Sequence, residues 1–183
     1  MQPASSCNIF ERKKKGGISV ADMLDEAMDG FEDDAQKGKY MTFLCDGERY
    51  GLEIRYVQEI VGMQRITEVP EVAGYIKGLI NLRGKVIPVV DMRLRFGKEF
   101  REYNDRTCII VITVQSVVVG LIVDTIAEVV TIAEGDVLAP PGIGTNQESH
   151  FIYGVGKIGD SVTLLISPEK LINEQLAEEL AEL

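Results

Sequence analysis

The side chains of this sequence that could do chemistry are few and scattered. His150 is the only histidine among 183 residues. With no second histidine, and no cysteine or acid at ligand spacing around it, it cannot anchor a zinc site in the usual way and reads as a loop histidine. Cys7, Cys45 and Cys108 are odd in number, widely spaced and free of any CxxC. That suits free thiols in a reducing compartment rather than a disulfide framework. The stretch from Pro140 to Thr145 is glycine-rich but lacks the Lys-Ser/Thr that ends a phosphate-binding loop. No GxSxG marks an esterase-type serine. Acid pairs such as Glu53 with Glu59, or Asp91 with Asp124, have the groups for general acid–base work, yet nothing in their spacing makes them converge. The residues point away from an enzyme, and neither a metal nor a cofactor is expected.

The elements that must hold these groups come as one design written twice. Gly51 to Val61 aligns without a gap on Gly120 to Val130, so that Gly51 meets Gly120, Glu59 meets Glu128 and Val61 meets Val130. Tyr75 to Leu79 aligns on Phe151 to Val155, and Val86 to Val90 on Val162 to Ile166. The offset grows from 69 to 76 residues between these matches, which assigns seven extra residues to the second copy, in the loop around Gly142 to Glu148. Two copies imply two similar β lobes, about 39–98 and 106–166, with a seam between them that can hold a partner.

Within each copy the apolar period is two. Tyr40 to Cys45 reads as a strand, Asp46-Gly47 as a hairpin turn and Arg49 to Ile54 as the return. Arg55 to Val61 opens with a short helical turn and continues as strand. Ile76 to Leu82 and Val86 to Val90 flank a turn at Arg83-Gly84. Pro88 cannot donate to a ladder, so its strand lies at an edge or a kink. After a polar linker from Gly97 to Arg106, Cys108 to Val114 is a β-branched run of the kind buried on both faces. It turns at Gln115-Ser116 and returns through Val117 to Val123. Gly154 to Ile158 turns at Gly159-Asp160 into Val162 to Ile166. About five short strands per copy predict small barrels or curled sheets, which remove exposed edges.

Helices flank the copies. Ser167-Pro168-Glu169 supplies the cap, the first-turn proline and the acid that start a helix over 168–183, with Leu171, Ile172, Leu176, Leu180 and Leu183 on its apolar stripe. Residues 1–38 stand apart as an N-terminal extension. There Ser19 is an N-cap, and Val20, Met23, Leu24, Ala27, Met28 and Phe31 recur on one face of an amphipathic helix over about 20–33.

A net charge of −10 argues against nucleic acid as a partner. The basic run Arg12 to Lys15 is short and soon followed by acids, which reads as a solvated tail. The longest apolar run, Val117 to Val123, is broken by Gly120 and falls far short of the ~20 residues of a membrane helix. No membrane insertion is expected. The N-terminus lacks the apolar region of a signal peptide, which places the expected location in the cytoplasm.

The copies differ at one equivalent turn. The first reads Gly78-Leu-Ile-Asn-Leu-Arg-Gly84, the second Gly154-Val-Gly-Lys-Ile-Gly-Asp160. Asn81 and Gly84 serve turn geometry. Arg83 is not required by that geometry, because glycine fills the matching place. A guanidinium on a tight turn is pre-organised to fork onto a carboxylate or onto backbone carbonyls, and arginines are frequent interface hot spots.

Asn81-Leu-Arg-Gly84, followed by Ile87-Pro-Val-Val-Asp91 and Arg95-Phe-Gly97, resembles the CheW-like domain family of chemotaxis coupling proteins. Val57-Gln-Glu-Ile60, Val119 to Asp124 and the Lys-Ile-Gly-Asp turn at 157–160 add to the resemblance, which runs from about Lys39 to Leu176. It implies an all-β fold of two pseudo-symmetric, five-stranded SH3-like barrels. It also implies a non-enzymatic adaptor without a cofactor. The partners would be the cytoplasmic helical hairpin of methyl-accepting chemoreceptors and the regulatory domain of the histidine kinase CheA, with other copies of the family as ring neighbours in membrane-associated arrays. Carried over by position, the receptor groove takes Val57, Glu59, Gly78, Asn81 and Arg83 from the first lobe, and Cys108, Val119 and Gly120 from the second. Val57 and Val119 would floor the groove, Gly78 and Gly120 would let a helix approach, and Glu59 and Arg83 would fix its register. Cys108 stands where family members often carry a β-branched residue, and a small thiol packs as a hydrophobe. The kinase-facing surface would be an end of the first lobe, at Gln64, Arg65 and Ile66. A CheW-like scaffold of another two-component pathway is the alternative.

Overall fold

The structure, a computed structural model, describes residues 18–19, 36–140, 150–172, 176 and 178. The helix expected over 20–33, the extra loop residues 142–148, Cys7, Leu180 and Leu183 lie outside them. The fold is mostly β. Its strands are β1 (Ile18–Ser19), β2 (Lys39–Cys45), β3 (Glu48–Glu53), β4 (Val57–Gly62), β5 (Ile76–Leu82), β6 (Lys85–Asp91), β7 (Cys108–Val114), β8 (Val117–Val123), β9 (Thr125–Thr131), β10 (Val137–Leu138), β11 (Ile152–Ile158) and β12 (Ser161–Ile166). Among the described residues, the helical segments α1 (Met92–Arg95) and α2 (Pro168–Leu171) follow β6 and β12, and Leu176 and Glu178 of the helix expected over 168–183 are helical too. The helical turn expected before β4 is a 3-10 turn at Ile54–Tyr56.

The strands form two six-stranded sheets, ordered β1-β4-β7-β8-β6-β5 and β10-β11-β12-β3-β2-β9. Without the two-residue strands β1 and β10, each sheet has five long strands. The sheets do not divide where the sequence copies divide. The hairpin that opens each copy crosses over. The β7–β8 hairpin of the second copy completes the sheet of β4, β5 and β6, and the β2–β3 hairpin of the first completes that of β9 to β12. The ranges 39–98 and 106–166 are therefore repeats of sequence, and each sheet borrows a hairpin from the other repeat.

The joins are short parallel ladders at equivalent places. Val89 lies opposite Gly120 in one sheet, and Leu165 lies opposite Gly51 in the other. A Cβ on Gly120 would sit 2.7 Å from Ile109 Cγ2 and 2.9 Å from Val89 Cγ1. A Cβ on Gly51 would sit 2.8 Å from Leu165 Cδ2. The matched glycines thus vacate volume that a core side chain of the other copy fills. Pro88 also finds its reason here: β6 is an interior strand, but its ladder to β8 starts only at Val89.

Three apolar cores result. The largest draws on both sheets, with Met41, Phe43, Leu52, Ile110, Leu121 and Phe151 among its fully buried members. Leu171, Ile172 and Leu176 of the expected C-terminal stripe are buried in it. Ser167 caps α2, its side chain accepting from the Lys170 N–H. A smaller core of Val61, Ile80, Leu82, Ile87, Val89, Ile109, Val111 and Ile122 takes side chains from all five long strands of the first sheet, which curls around it. Tyr40, Ile132 and Leu165 form its counterpart in the second sheet. Among the described residues, no helix is long and apolar enough to cross a membrane.

Candidate functional site

The β5–β6 hairpin closes with Leu82 opposite Lys85, leaving Arg83 and Gly84 as its two loop residues. Both have positive φ, 53° and 83°, as the two-residue turn that matches strand twist demands. Asn81 Oδ1 accepts from the Gly84 N–H at 2.9 Å. In the β11–β12 hairpin Ile158 faces Ser161, and Gly159 takes the matching place at φ 58°. Glycine adopts that conformation freely, whereas a residue with a Cβ is destabilised by about 1–2 kcal/mol. The first copy keeps an arginine there against turn chemistry.

The arginine reaches Glu59. Arg83 Nη1 donates to Glu59 Oε1 at 3.2 Å, and Nη2 lies 2.9 Å from Oε2. β4 and β5 stand at opposite ends of the long-strand order of their sheet, so this ion pair joins the two ends where the curl brings them together. The Glu59 side chain is 16% exposed and that of Arg83 62%. Glu59 heads a row running through Val111, Gly120 and Val89 across the sheet. The carboxylate thus closes the mouth of the small core, and the guanidinium, with five N–H donors and only some engaged, is open to solvent. An exposed pair of this kind stabilises the fold by at most about 1 kcal/mol.

The remaining residues expected at a receptor groove are supports rather than surface. Val57 pairs with Ile112 and Ile112 with Val119, one row across three strands. Val57 is 6% exposed and Val119 0%, both within the largest core. They cannot floor an open groove, because the seam between the sheets is filled by the protein's own side chains. The space beside Gly120 is taken by Ile109 and Val89. Gly78, at φ 132°, would place a Cβ 2.1 Å from the Thr67 carbonyl oxygen. Its missing side chain admits this chain's own backbone, not a partner helix. Cys108 is half-buried, its thiol donating to the Arg106 carbonyl at 3.1 Å, and burial raises its pKa. Glu59, Asn81 and Arg83 are the members that meet at an accessible place.

Gln64, Arg65 and Ile66 lie on the loop that leaves β4. Gln64 and Arg65 are exposed, and Ile66 packs on the small core. Thr67 then exchanges both backbone hydrogen bonds with Leu79, at 2.8 and 2.9 Å. This bridge pins the loop along the outer side of β5 and explains why Gly78 must be glycine.

The acid pairs are engaged separately. Glu59 takes Arg83, and Glu53 takes Arg55 at 2.8 Å. Asp91 caps α1, accepting from the Arg93 and Leu94 N–H groups, and also accepts from the Tyr103 hydroxyl at 2.8 Å. Asp124 takes Arg93 at 2.6 Å. Sequence reasoning missed Arg93, which is 8% exposed and bridges Asp124 to Asp46 at 2.7 Å. No local pattern announces this bridge, because its members come from three distant turns. Beside it Glu48 accepts from Lys98 at 2.8 Å and from Tyr50 at 2.7 Å, which hold its carboxyl below the usual range. His150 is exposed, its ring edge-on to Phe151. Among the described residues, no cluster of three or more His, Cys, Asp or Glu could hold a metal ion.

Comparison with known proteins bears on this geometry. A family model described as the CheW-like domain matches residues 39–176. A chemotaxis protein CheW from Klebsiella aerogenes is 30% identical over 137 residues, covering 75% of this chain and 82% of that protein. One from Rhizobium meliloti is 33% identical over 138 residues, covering 75% and 89%. The crystal structure of the scaffolding protein TtCheW from Thermoanaerobacter tengcongensis superposes with a TM-score of 0.69 at 36% identity, over 76% of this chain and 94% of that one. The exchanged sheets and the Asn81–Gly84 turn lie within the matched region, and the chain belongs to the CheW-like domain family of chemotaxis scaffold proteins.

Proposed function

We propose that the chain is a non-enzymatic adaptor that couples the cytoplasmic tips of chemoreceptors to the histidine kinase CheA, working in the cytoplasm at receptor arrays. Glu59, Asn81 and Arg83 are the receptor contact, and the loop at Gln64, Arg65 and Ile66 faces the kinase. The observation that carries the receptor assignment is Arg83, kept in a left-handed turn conformation where the sister hairpin has glycine. Backbone strain retained at an exposed charge supports a functional role.

The physical logic is that of a rigid clamp. Glu59 holds one side of the guanidinium, so little side-chain freedom remains to be lost on binding. The open donors fork onto a carboxylate or onto the carbonyls of a receptor helix. Val57, Val119 and Gly120 act from beneath, by fixing the registers of β4, β7 and β8 that place Glu59. Coupling then requires that the adaptor bind receptor and kinase differently in their active and inactive states.

Co-sedimentation with receptor signalling fragments and CheA tests the reading. A ternary complex is expected, and Arg83→Glu should remove the receptor from it while retaining the kinase. Failure of the unaltered chain to join either protein overturns the proposal.

A further inference from the structure

Each repeat completes its sheet with the hairpin of the other, which is the geometry of a swapped dimer folded into one chain. Repeats this similar have a competing arrangement, in which each repeat takes its hairpin from the same repeat of a second copy. The contacts that tell the two arrangements apart lie where the exchanged hairpins leave their sheets.

Asp124 follows the β7–β8 hairpin and Arg55 follows the β2–β3 hairpin. The alignment of Gly51–Val61 on Gly120–Val130 makes these two residues equivalent. Asp91 and Ser167, the caps of α1 and α2, are equivalent as well. Their N–H groups donate to the carbonyls of the matched residues Tyr75 and Phe151, at 2.7 and 2.8 Å. Two residues further on, Arg93 matches Glu169. The charges are reversed between the two places. Arg93 Nη1 donates to Asp124 at 2.6 Å, and Nη2 donates to Asp46 in the β2–β3 turn at 2.7 Å. At the matched place Glu169 accepts from the Tyr56 hydroxyl, next to Arg55. Burial raises the Glu169 carboxyl, but hydrogen bonds, led by that of Tyr56, and the nearby Arg55 guanidinium outweigh it and leave it below the usual range. Gln115, without charge, stands where the other set has Asp46.

Like-with-like pairing sets both contacts against themselves. Arg93 would face Arg55 of the second copy where it now meets Asp124. Glu169 would face Asp124 where it now lies beside Arg55. Arg93 is 8% exposed, so salt screens the repulsion there only weakly, and losing Asp124 removes a partner from a nearly buried cation. Pairing of unlike repeats satisfies both sets. The tether over residues 97–106 then favours the unlike repeat of the same chain, which it holds at a high effective concentration.

We propose that the Arg93–Asp124 and Glu169–Arg55 sets confine each repeat to the unlike repeat, and so keep this chain from exchanging hairpins like-with-like with a second copy of itself. This stands independently of the adaptor reading.

Two full-length variants test it. Arg55→Asp with Glu169→Arg gives both sets the same signs, so every pair within the chain is kept while like-with-like pairing is no longer repelled. This variant and the unaltered chain are unfolded in urea, refolded together at high protein concentration in separate tubes, and sized by light scattering after gel filtration. A dimer fraction at least about tenfold above that of the unaltered chain is expected. Equal dimer fractions overturn the proposal. So does loss of cooperative unfolding in this variant, because the two sets would then not be equivalent. Arg55→Asp with Asp124→Arg leaves the net charge unchanged but repels both pairs within the chain and satisfies both between copies. Its melting temperature should rise with protein concentration, as that of a dimer does. Melting independent of concentration overturns the proposal.

Discussion

Arg83 and Gly159 occupy the same place in two equivalent hairpins and share nearly the same backbone, with φ of 53° and 58°. One position has the residue that the conformation favours, and the other has a residue that it penalises. Asp46 and Gln115 hold the same left-handed conformation in the β2–β3 and β7–β8 turns, at φ 56° and 54°, so the fold tolerates a side chain there without calling for an arginine.

This relationship orders two substitutions. Arg83→Gly and Arg83→Ala both remove the Glu59 ion pair, but only glycine relieves the left-handed φ. Arg83→Gly should therefore be the more stable by about 1 kcal/mol, the reverse of the usual ranking of glycine and alanine. Urea unfolding of both variants checks this. Equal stabilities, or a more stable alanine variant, would show that the turn relaxes when the guanidinium is gone. Both variants should lose binding to a receptor fragment, since neither carries the fork.

The crossing of hairpins between repeats makes a second prediction. Gly120→Ala places its Cβ against Ile109 Cγ2 and Val89 Cγ1, both on stiff β-branched side chains. Gly51→Ala meets Leu165 Cδ2, the far end of a side chain that can turn away, and Thr163 Cγ2 at 3.1 Å. Both should destabilise by roughly 1–3 kcal/mol, Gly120→Ala more than Gly51→Ala. Thermal melts give the order. A larger loss at Gly51 would contradict the packing described at these joins.

Much of the fold was legible in the sequence because it is written in period two and in turn chemistry. Asp46-Gly47, Arg83-Gly84 and Gly159-Asp160 mark three hairpins, and the strands beside them follow from alternation. Ser167 was readable as a cap for the same local reason. The exchange of hairpins was not, because nothing local says which strand a hairpin joins. The signal that existed was the alignment of Gly51 with Gly120, whose reason appears only when Leu165 and Val89 are seen in the space. The site was half legible. Glu59 and Arg83 were named together and do meet. Val57 and Val119 were named by position in the family, and position does not reveal that a side chain points into the core. α1 went unread because four residues carry no period, although Asp91 before them is a good cap.

The Arg93 bridge predicts a stability effect away from the proposed interface. Arg93→Ala leaves Asp124 without its cation and Asp46 with only the longer Lys98 pair at 3.8 Å, and the two acid side chains are 25% and 44% exposed. A fully buried stranded acid would destabilise more, but solvent reaches these, so a loss of about 2 kcal/mol is expected. Arg93→Met, which refills the volume without the charge, should not rescue it. Denaturant midpoints check this, and receptor binding by the folded fraction should be unchanged.

Glu48 supplies a pH dependence of known sign. Hydrogen bonds from Lys98 first, and from the Tyr50 hydroxyl next, hold its carboxyl below the ordinary 4.5. A group whose folded pKa is depressed contributes stability above its unfolded pKa and loses it as pH falls through the folded value. The contribution should therefore be complete at pH 7 and should fade once the pH drops below about 4.5. The side chain is 50% exposed, and solvent screening limits the effect to well under about 1 kcal/mol. Glu48→Gln keeps the shape but removes the charge that Lys98 meets. Its stability should lie slightly below that of the unaltered chain at pH 7, and the gap should close on acidification. Urea titrations at pH 7, 5, 4 and 3 measure the gap. A gap of the same size at every pH would mean that Glu48 acts through packing and neutral hydrogen bonds, with no part played by its ion pair with Lys98.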